Sequence, residues 1–212
     1  MNNLMLDIET LGTKTNGIII SLALIPFDPV MRVLASKENS LFLHIDADDA
    51  AKNGGTFEMR TIGWWTEQSP EAVTRMREGQ ANGPLKEADA CRAIRNYLYR
   101  HLKIDARDVR IWGNGARFDV GLVDQMFDRA GVPSPIKYNS DMCYRTIYRM
   151  GKAYAQRFGH PSGGRLKWSE VMPVGAVQHD PYDDSVFQIL GLFHILDMMD
   201  LRSFEEIDDA AK

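Results

Sequence analysis

Residues 17–28, GIIISLALIPFD, are almost unbroken in apolar and β-branched side chains, and residues 3–8 run the same way up to the segment LDIET. Both read as strands, and strands this apolar need cover, which places them inside a layered domain. The pattern predicts a third strand near 40–46 after the turn DPVMR, giving an antiparallel meander whose third strand is an edge. Residues 47–60 read as a loop and TIGWWTEQ as a short helical turn. Ser69 as N-cap, Pro70 as first helical residue and Gly79 as stop predict a short helix. Leu85, Ala88, Cys91, Ile94, Leu98 and Leu102 recur at helical spacing and predict a longer one over 85–102. A strand at 109–114, a helix at 118–131, one more strand within 136–142, a helix at 143–158, a GHPSGG loop and a last helix at 182–201 complete the chain. That order predicts an α/β fold: a central mixed sheet of five or six strands flanked by helices, in one domain over 1–212, with an acidic tail from about 203 that frays.

No stretch approaches the ~18 uninterrupted apolar residues of a membrane span, and the N-terminus lacks a basic region followed by an apolar one. The expectation is a cytoplasmic protein with no membrane partner. Cys91 and Cys143 stand alone, so neither a disulfide framework nor a cysteine zinc site is expected. The net charge of −4 is unevenly distributed. Residues 137–168 hold seven Lys and Arg against the single acid Asp141, and aromatic residues such as Tyr144, Tyr148 and Trp168 interleave them. Such a stretch is a candidate nucleic-acid surface. Within it Arg145, Arg149 and Lys152 share a helix face that either tracks phosphates or simply meets solvent.

The acidic residues carry the chemistry. Alternation along the first strand sends Asp7 and Glu9 to one face, where two like charges disfavour each other unless a cation lies between them. Asp119 follows WGNGARF at a strand-to-helix junction, and Asp184 lies in HDPYDDS in the first turn of the last helix. Singly, each has an ordinary reading, as a solvated strand end or a charge at a helix N-terminus. Jointly they supply four hard oxygen ligands of the kind that Mg²⁺ and Mn²⁺ take. Four carboxylates are enough for two such ions, the arrangement that clamps attacking and leaving oxygens in phosphodiester hydrolysis. His179, five residues before Asp184 in a Gly- and Pro-containing loop, suits a general base, because an ordinary imidazole titrates near ~6.5.

These motifs resemble those of the DEDDh 3′→5′ exonucleases, on the ribonuclease H-like fold. LDIET is similar to their first motif, the FD of WGNGARFDVGLVD to the second and HDPYDD to the third, in the same order and along nearly the whole chain. GNGxxFD is closest to the short stand-alone exonucleases of phages and their bacterial relatives, which include exoribonucleases. Two departures stand out: Gly115 sits where many members have Asn, which here is Asn114, and Pro181 sits where Ala is usual. The resemblance implies that Asp7, Glu9, Asp119 and Asp184 bind two Mg²⁺ ions, with Mn²⁺ able to substitute, and that His179 is the general base. It also implies that Thr10 and Leu11 line the terminal nucleotide, Leu11 by packing on its base, with Phe118 beside that pocket. IGWWTEQSPEA adds Trp65 and Gln68 as nucleotide contacts, which of Trp64 and Trp65 faces the substrate being left open.

The expectation is a metal-dependent exonuclease that shortens single-stranded RNA or DNA from its 3′ end to nucleoside 5′-monophosphates. A ribonuclease H-like endonuclease and a non-catalytic nucleic-acid-binding module are the rivals. A calcium protein is disfavoured because no DxDxDG loop is present. DNA against RNA and monomer against homodimer stay open.

Overall fold

The computed structural model describes residues 1–103 and 108–201, and the tail expected to fray lies outside the described residues. Strands β1 (Asn3–Thr10), β2 (Ile19–Asp28), β3 (Val33–Leu34), β4 (Leu41–His44), β5 (Arg110–Gly113) and β6 (Asp141–Cys143) form one mixed sheet. The order is β3-β2-β1-β5-β6, with β4 also paired to β2, so β3 and β4 together make the edge beyond β2. β1 is central, antiparallel to β2 and parallel to β5. Both β1 and β2 are buried along nearly their whole length, as their apolar composition requires.

The helices are α1 (Ala47–Lys52), α2 (Met59–Thr66), α3 (Pro70–Ala81), α4 (Glu87–Asn96), α5 (Ala116–Arg129), α6 (Tyr144–Phe158), α7 (Trp168–Val171) and α8 (Pro181–Met198). Leu4, Leu6 and Ile8 of β1 point to one face, where they pack with Ile94 of α4 and with Val123, Met126 and Phe127 of α5. Met5 points the other way and packs with Phe27, Trp112 and the α8 residues Ile189, Leu192 and Leu196. The period of two thus puts Asn3, Met5, Asp7 and Glu9 on the α8 face of the sheet. α6 lies against α8 at two glycines: Tyr144 and Ile195 occupy the space that a Cβ on Gly191 or Gly151 would fill. No helix among the described residues is long and apolar enough to cross a membrane.

Three local expectations are corrected. Residues 47–52 are helical rather than loop, because Asp46 caps them, its carboxylate accepting from Asp48 N and Asp49 N. Gly79 does not stop α3; it is a point of close approach, where the His44 ring occupies the space a side chain would need. The helix expected over 85–102 starts at Glu87 and widens into a π-helical turn at Tyr97–His101. The Ser69 cap and Pro70 start of α3 are as expected, Ser69 Oγ accepting from Ala72 N.

Glu87 is fully buried and meets Arg129 of α5 at 2.5 Å, while its own N–H donates to Asp49. This ion pair joins α4 to α5 beneath the sheet. Removing one partner strands the other charge in the interior. Arg129→Met is therefore expected to cost about 3–5 kcal/mol in urea unfolding, and Glu87→Met in the same chain to restore most of that loss; a single-variant cost indistinguishable from zero would show that the pair pins nothing.

Candidate functional site

β5 ends opposite Leu6 of β1, one residue before Asp7 and four short of the end of the strand at Thr10. Beyond Gly113 the chain leaves the sheet through Asn114 and Gly115, which adopts a left-handed φ of 118° that favours glycine, and enters α5. The gap beside Asp7 is filled by Asp119 from the first turn of α5. Gly113 makes this possible, since a Cβ there would lie 2.8 Å from Asp119 Oδ2. α8 crosses the same end of the sheet and brings Asp184 and, one turn later, Gln188, whose Nε2 donates to Asp7 Oδ1 at 2.7 Å. Asp7, Glu9 and Asp119 are all under a tenth exposed.

The electrostatics follow from this crowding. Burial pushes Asp7 and Glu9 well above the usual carboxylate range, and the neighbouring acids add to the shift. Burial moves Asp119 and Asp184 up to about 7; Arg145 partly offsets the shift at Asp119, while at Asp184 the His179 N–H offsets it and the Asp180 and Asp183 charges add to it. Asp119 Oδ2 is buried with no hydrogen-bond partner. Glu9, His179 and Asp184 each offer a ligand atom within 4.8 Å of the others. A set of hard oxygens with a polar atom left unsatisfied is what a divalent cation fits.

His179 stands at the mouth of this cluster in the loop before α8. Its φ of 66° is unusual for a non-glycine residue, so the loop around it must hold it there. Arg75 of α3 does so: Nη1 donates to Asp180 Oδ2 at 2.8 Å and Asp183 Oδ2 at 2.9 Å, and Nη2 to Gly175 O at 2.9 Å. Asp180 caps α8, and Asp183 accepts from Val177 N within the same loop. The Trp64 ring meets the imidazole edge-on at 4.8 Å. His179 Nδ1 lies 4.0 Å from Asp184 Oδ2, and burial lowers the imidazole's pKa, which keeps it neutral.

The expected nucleotide contacts divide. Trp65 is corrected to a core residue: it is 3% exposed and its Nε1 donates to Thr10 O, so no ring face is open to a base. Trp64, 39% exposed, is the one at the surface. Thr10 is buried at the end of β1, and Leu11 packs partly buried against Ile18, Ile20 and Trp65. Gln68 donates to Trp64 O and lines a cleft shared with Arg75 and His179. Phe118 lines a separate cavity with Thr13–Asn16 and Arg145. Gln188 and Arg75 went unread in the sequence. For Gln188 the spacing of four from Asp184, one turn of the same helix face, was an available signal; for Arg75, far from its partners in sequence, there was none.

The strain of the acidic cluster is measurable. Without a divalent cation, folded Asp119 keeps its proton up to about 7, whereas an unfolded chain releases it near ~3.9. The folded state binds the extra proton between these values, so the stability linked to Asp119 is present at low pH and lost as pH rises through that window. In EDTA, the melting temperature of the wild type is expected to fall relative to that of Asp119→Asn from roughly pH 4 to 7, and added Mg²⁺ to close the gap. Parallel profiles for the two proteins would show that the carboxylate is not strained.

Three comparisons set this site among known proteins. A computed family model for the Rv2179c-like 3′-5′ exoribonuclease domain matches residues 2–191. The exodeoxyribonuclease of Enterobacteria phage T4 is 31% identical over 132 residues, which are 60% of this chain and 57% of the phage protein. The crystal structure of cell-death related nuclease 4 (CRN-4) superposes with a TM-score of 0.61 at 12% identity, over 92% of this chain and 64% of that one, a likeness of fold. This chain thus spans less than two thirds of either relative. The mixed, helix-flanked sheet is accordingly ribonuclease H-like, and the match over residues 2–191 makes the chain a member of the Rv2179c-like 3′-5′ exoribonuclease domain family.

Proposed function

We propose that this protein is a metal-dependent 3′→5′ exonuclease of single-stranded nucleic acid that releases nucleoside 5′-monophosphates. The observation that carries the reading is the convergence of four acids and one imidazole, from β1, α5, α8 and the loop before α8, on one end of the central strand. Asp7, Glu9, Asp119 and Asp184 would hold two Mg²⁺ ions, or Mn²⁺ in their place, which when bound neutralise the phosphodiester and lower the pKa of water.

The chain's own residues do the rest. Gln188 orients Asp7 by donating to one of its oxygens, leaving the other free as a ligand. His179 is neutral and so able to accept the proton of the attacking water as its oxygen bonds to phosphorus. The bond from phosphorus to the leaving 3′-oxygen breaks, and that oxygen gains a proton from solvent, leaving a shortened strand with a 3′-hydroxyl. Trp64 and the Arg75 brace fix the imidazole's position, and neither touches the reacting atoms. The terminal nucleotide is assigned to Leu11, which packs beside Trp65, and to Phe118, which lines the cavity beside Arg145. The family's name and the phage relative point to RNA and DNA respectively, so the sugar preference is a matter for assay.

The reading is tested by following 5′-labelled RNA and DNA oligomers with Mg²⁺. A ladder shortening from the 3′ end with mononucleotide product is expected, and cleavage of a circular single strand would replace the exonuclease with an endonuclease. Asp7→Ala and Asp184→Ala should both abolish hydrolysis while remaining folded, and His179→Ala should lower turnover by about 10²–10⁴-fold; full activity in any of the three removes that residue from the mechanism.

Arg75 makes a separate case. Arg75→Ala frees the loop that presents His179, so kcat should fall about tenfold or more, the scale of effect that misplacing a catalytic group by a fraction of an ångström produces. Mg²⁺ affinity by calorimetry should stay close to that of the wild type, and a fall in metal affinity matching the fall in kcat would mean that Arg75 supports the carboxylates instead.

A further inference from the structure

A second cavity, which Phe118 does not line, opens beside the acidic cluster. It has a volume of about 600 Å³ and lies between α6, the segment leading into α7, and α8. At its inner end it is bounded by His179, Asp184 and Gln188, and it is therefore continuous with the candidate catalytic centre. Its apolar wall is aromatic: the rings of Trp168 and Phe187 pack at 5.1 Å, with Tyr148 opposite on α6. Its rim is cationic, formed by Arg149 and Lys152 one turn apart on α6. Among the described residues no carboxylate pairs with either, and Lys152 instead lies over the Tyr148 ring at 5.8 Å. Arg145 borders both this groove and the Phe118 cavity, and its guanidinium donates to Asn114 O between them.

We propose that this groove binds the nucleotide on the 5′ side of the scissile linkage, its base on the Trp168–Phe187 wall and its phosphate at Arg149 and Lys152. The inference rests on the exonuclease reading above and deepens it. A phosphodiester held at the acidic cluster has one nucleotide on each side. With the terminal nucleotide placed at Leu11 and Phe118, neither of which lines this groove, the groove is open to the next one. An aromatic wall accepts any base because every base has a π-face, and unpaired cations answer the phosphate charge without reading sequence. The cleft at Gln68 and Arg75 is a weaker candidate, since its one arginine is already committed to Asp180 and Asp183.

The test uses the full chain carrying Asp7→Asn, which blocks turnover from a residue outside the groove. Binding of 5′-fluorescein single-stranded tetranucleotides, ribo and deoxyribo in separate arms, is read by anisotropy with Mg²⁺, and an unlabelled nucleoside 5′-monophosphate serves as competitor. Adding Trp168→Ala should weaken tetranucleotide binding about tenfold, and Trp168→Phe should restore it, since the ring is what the base needs. Arg149→Gln and Lys152→Gln should each lower the slope of log affinity against log salt by roughly one, while Arg92→Gln on the remote helix α4 should leave it unchanged. The monophosphate's competition should change less than about twofold in all of them, by the same stacking logic. Tetranucleotide affinities that stay equal across the Trp168 variants overturn the proposal, as does an equal loss for the monophosphate, which would make the groove the terminal pocket. If the unmutated protein fails to shorten strands from the 3′ end, the exonuclease reading falls by that assay alone, and the binding series still decides whether the groove holds an oligonucleotide.

Discussion

Four carboxylates meet at the end of one buried strand, and much of the architecture exists to put up with them. Each was carried out of water at a cost that raises its pKa, and each repels the others. A fold keeps such a cluster only if the surrounding packing can bear the strain. Here β1 is central and hydrogen-bonded on both sides, and apolar layers cover both faces. The rigid strand offers no route by which Asp7 and Glu9 could swing apart. The same rigidity is what a site for closely spaced cations needs, since charges held in place before binding cost no reorganisation when the substrate arrives.

Glycine sets how closely the elements approach. Gly113 leaves room for Asp119, and Gly115 turns the chain sharply enough for α5 to begin beside β1 rather than beyond it. Gly191 and Gly151 let α6 settle on α8, which brings the basic face of α6 alongside the helix that carries Asp184. The loop bearing His179 is organised differently. It is held by Arg75, by the Asp180 cap and by Asp183, three polar ties that fix a residue in a left-handed conformation it would not adopt alone. Core packing thus places the acids, and ion pairs place the base.

Much of this was readable in the chain. The apolar runs of β1 and β2 marked the sheet, Ser69-Pro70 marked the start of α3, and the order of Asp7, Glu9, Asp119, His179 and Asp184 marked the candidate site. What misled was local. A short helix with alanine as its main apolar residue carries little periodicity, so Ala47–Lys52 looked like a loop despite its Asp46 cap. Gly79 looked like a stop because a glycine needed for close approach is indistinguishable in sequence from one that ends a helix. Adjacent tryptophans could not be told apart, because the rotation of α2 that buries Trp65 under Thr10 and turns Trp64 toward His179 depends on partners outside the helix.

Sequence alone determined the kinds of element, their order and the chemical types at the site, because hydrophobic period, capping residues and carboxylates are properties of a few neighbouring positions. Tertiary structure alone decided that Gln188 orients Asp7, that Arg75 braces the His179 loop, and that an aromatic groove with a cationic rim opens next to Asp184. Those are contacts between segments far apart in the chain. They are set by how β1, α5, α6 and α8 pack, and packing is a sum over many side chains that no short motif encodes.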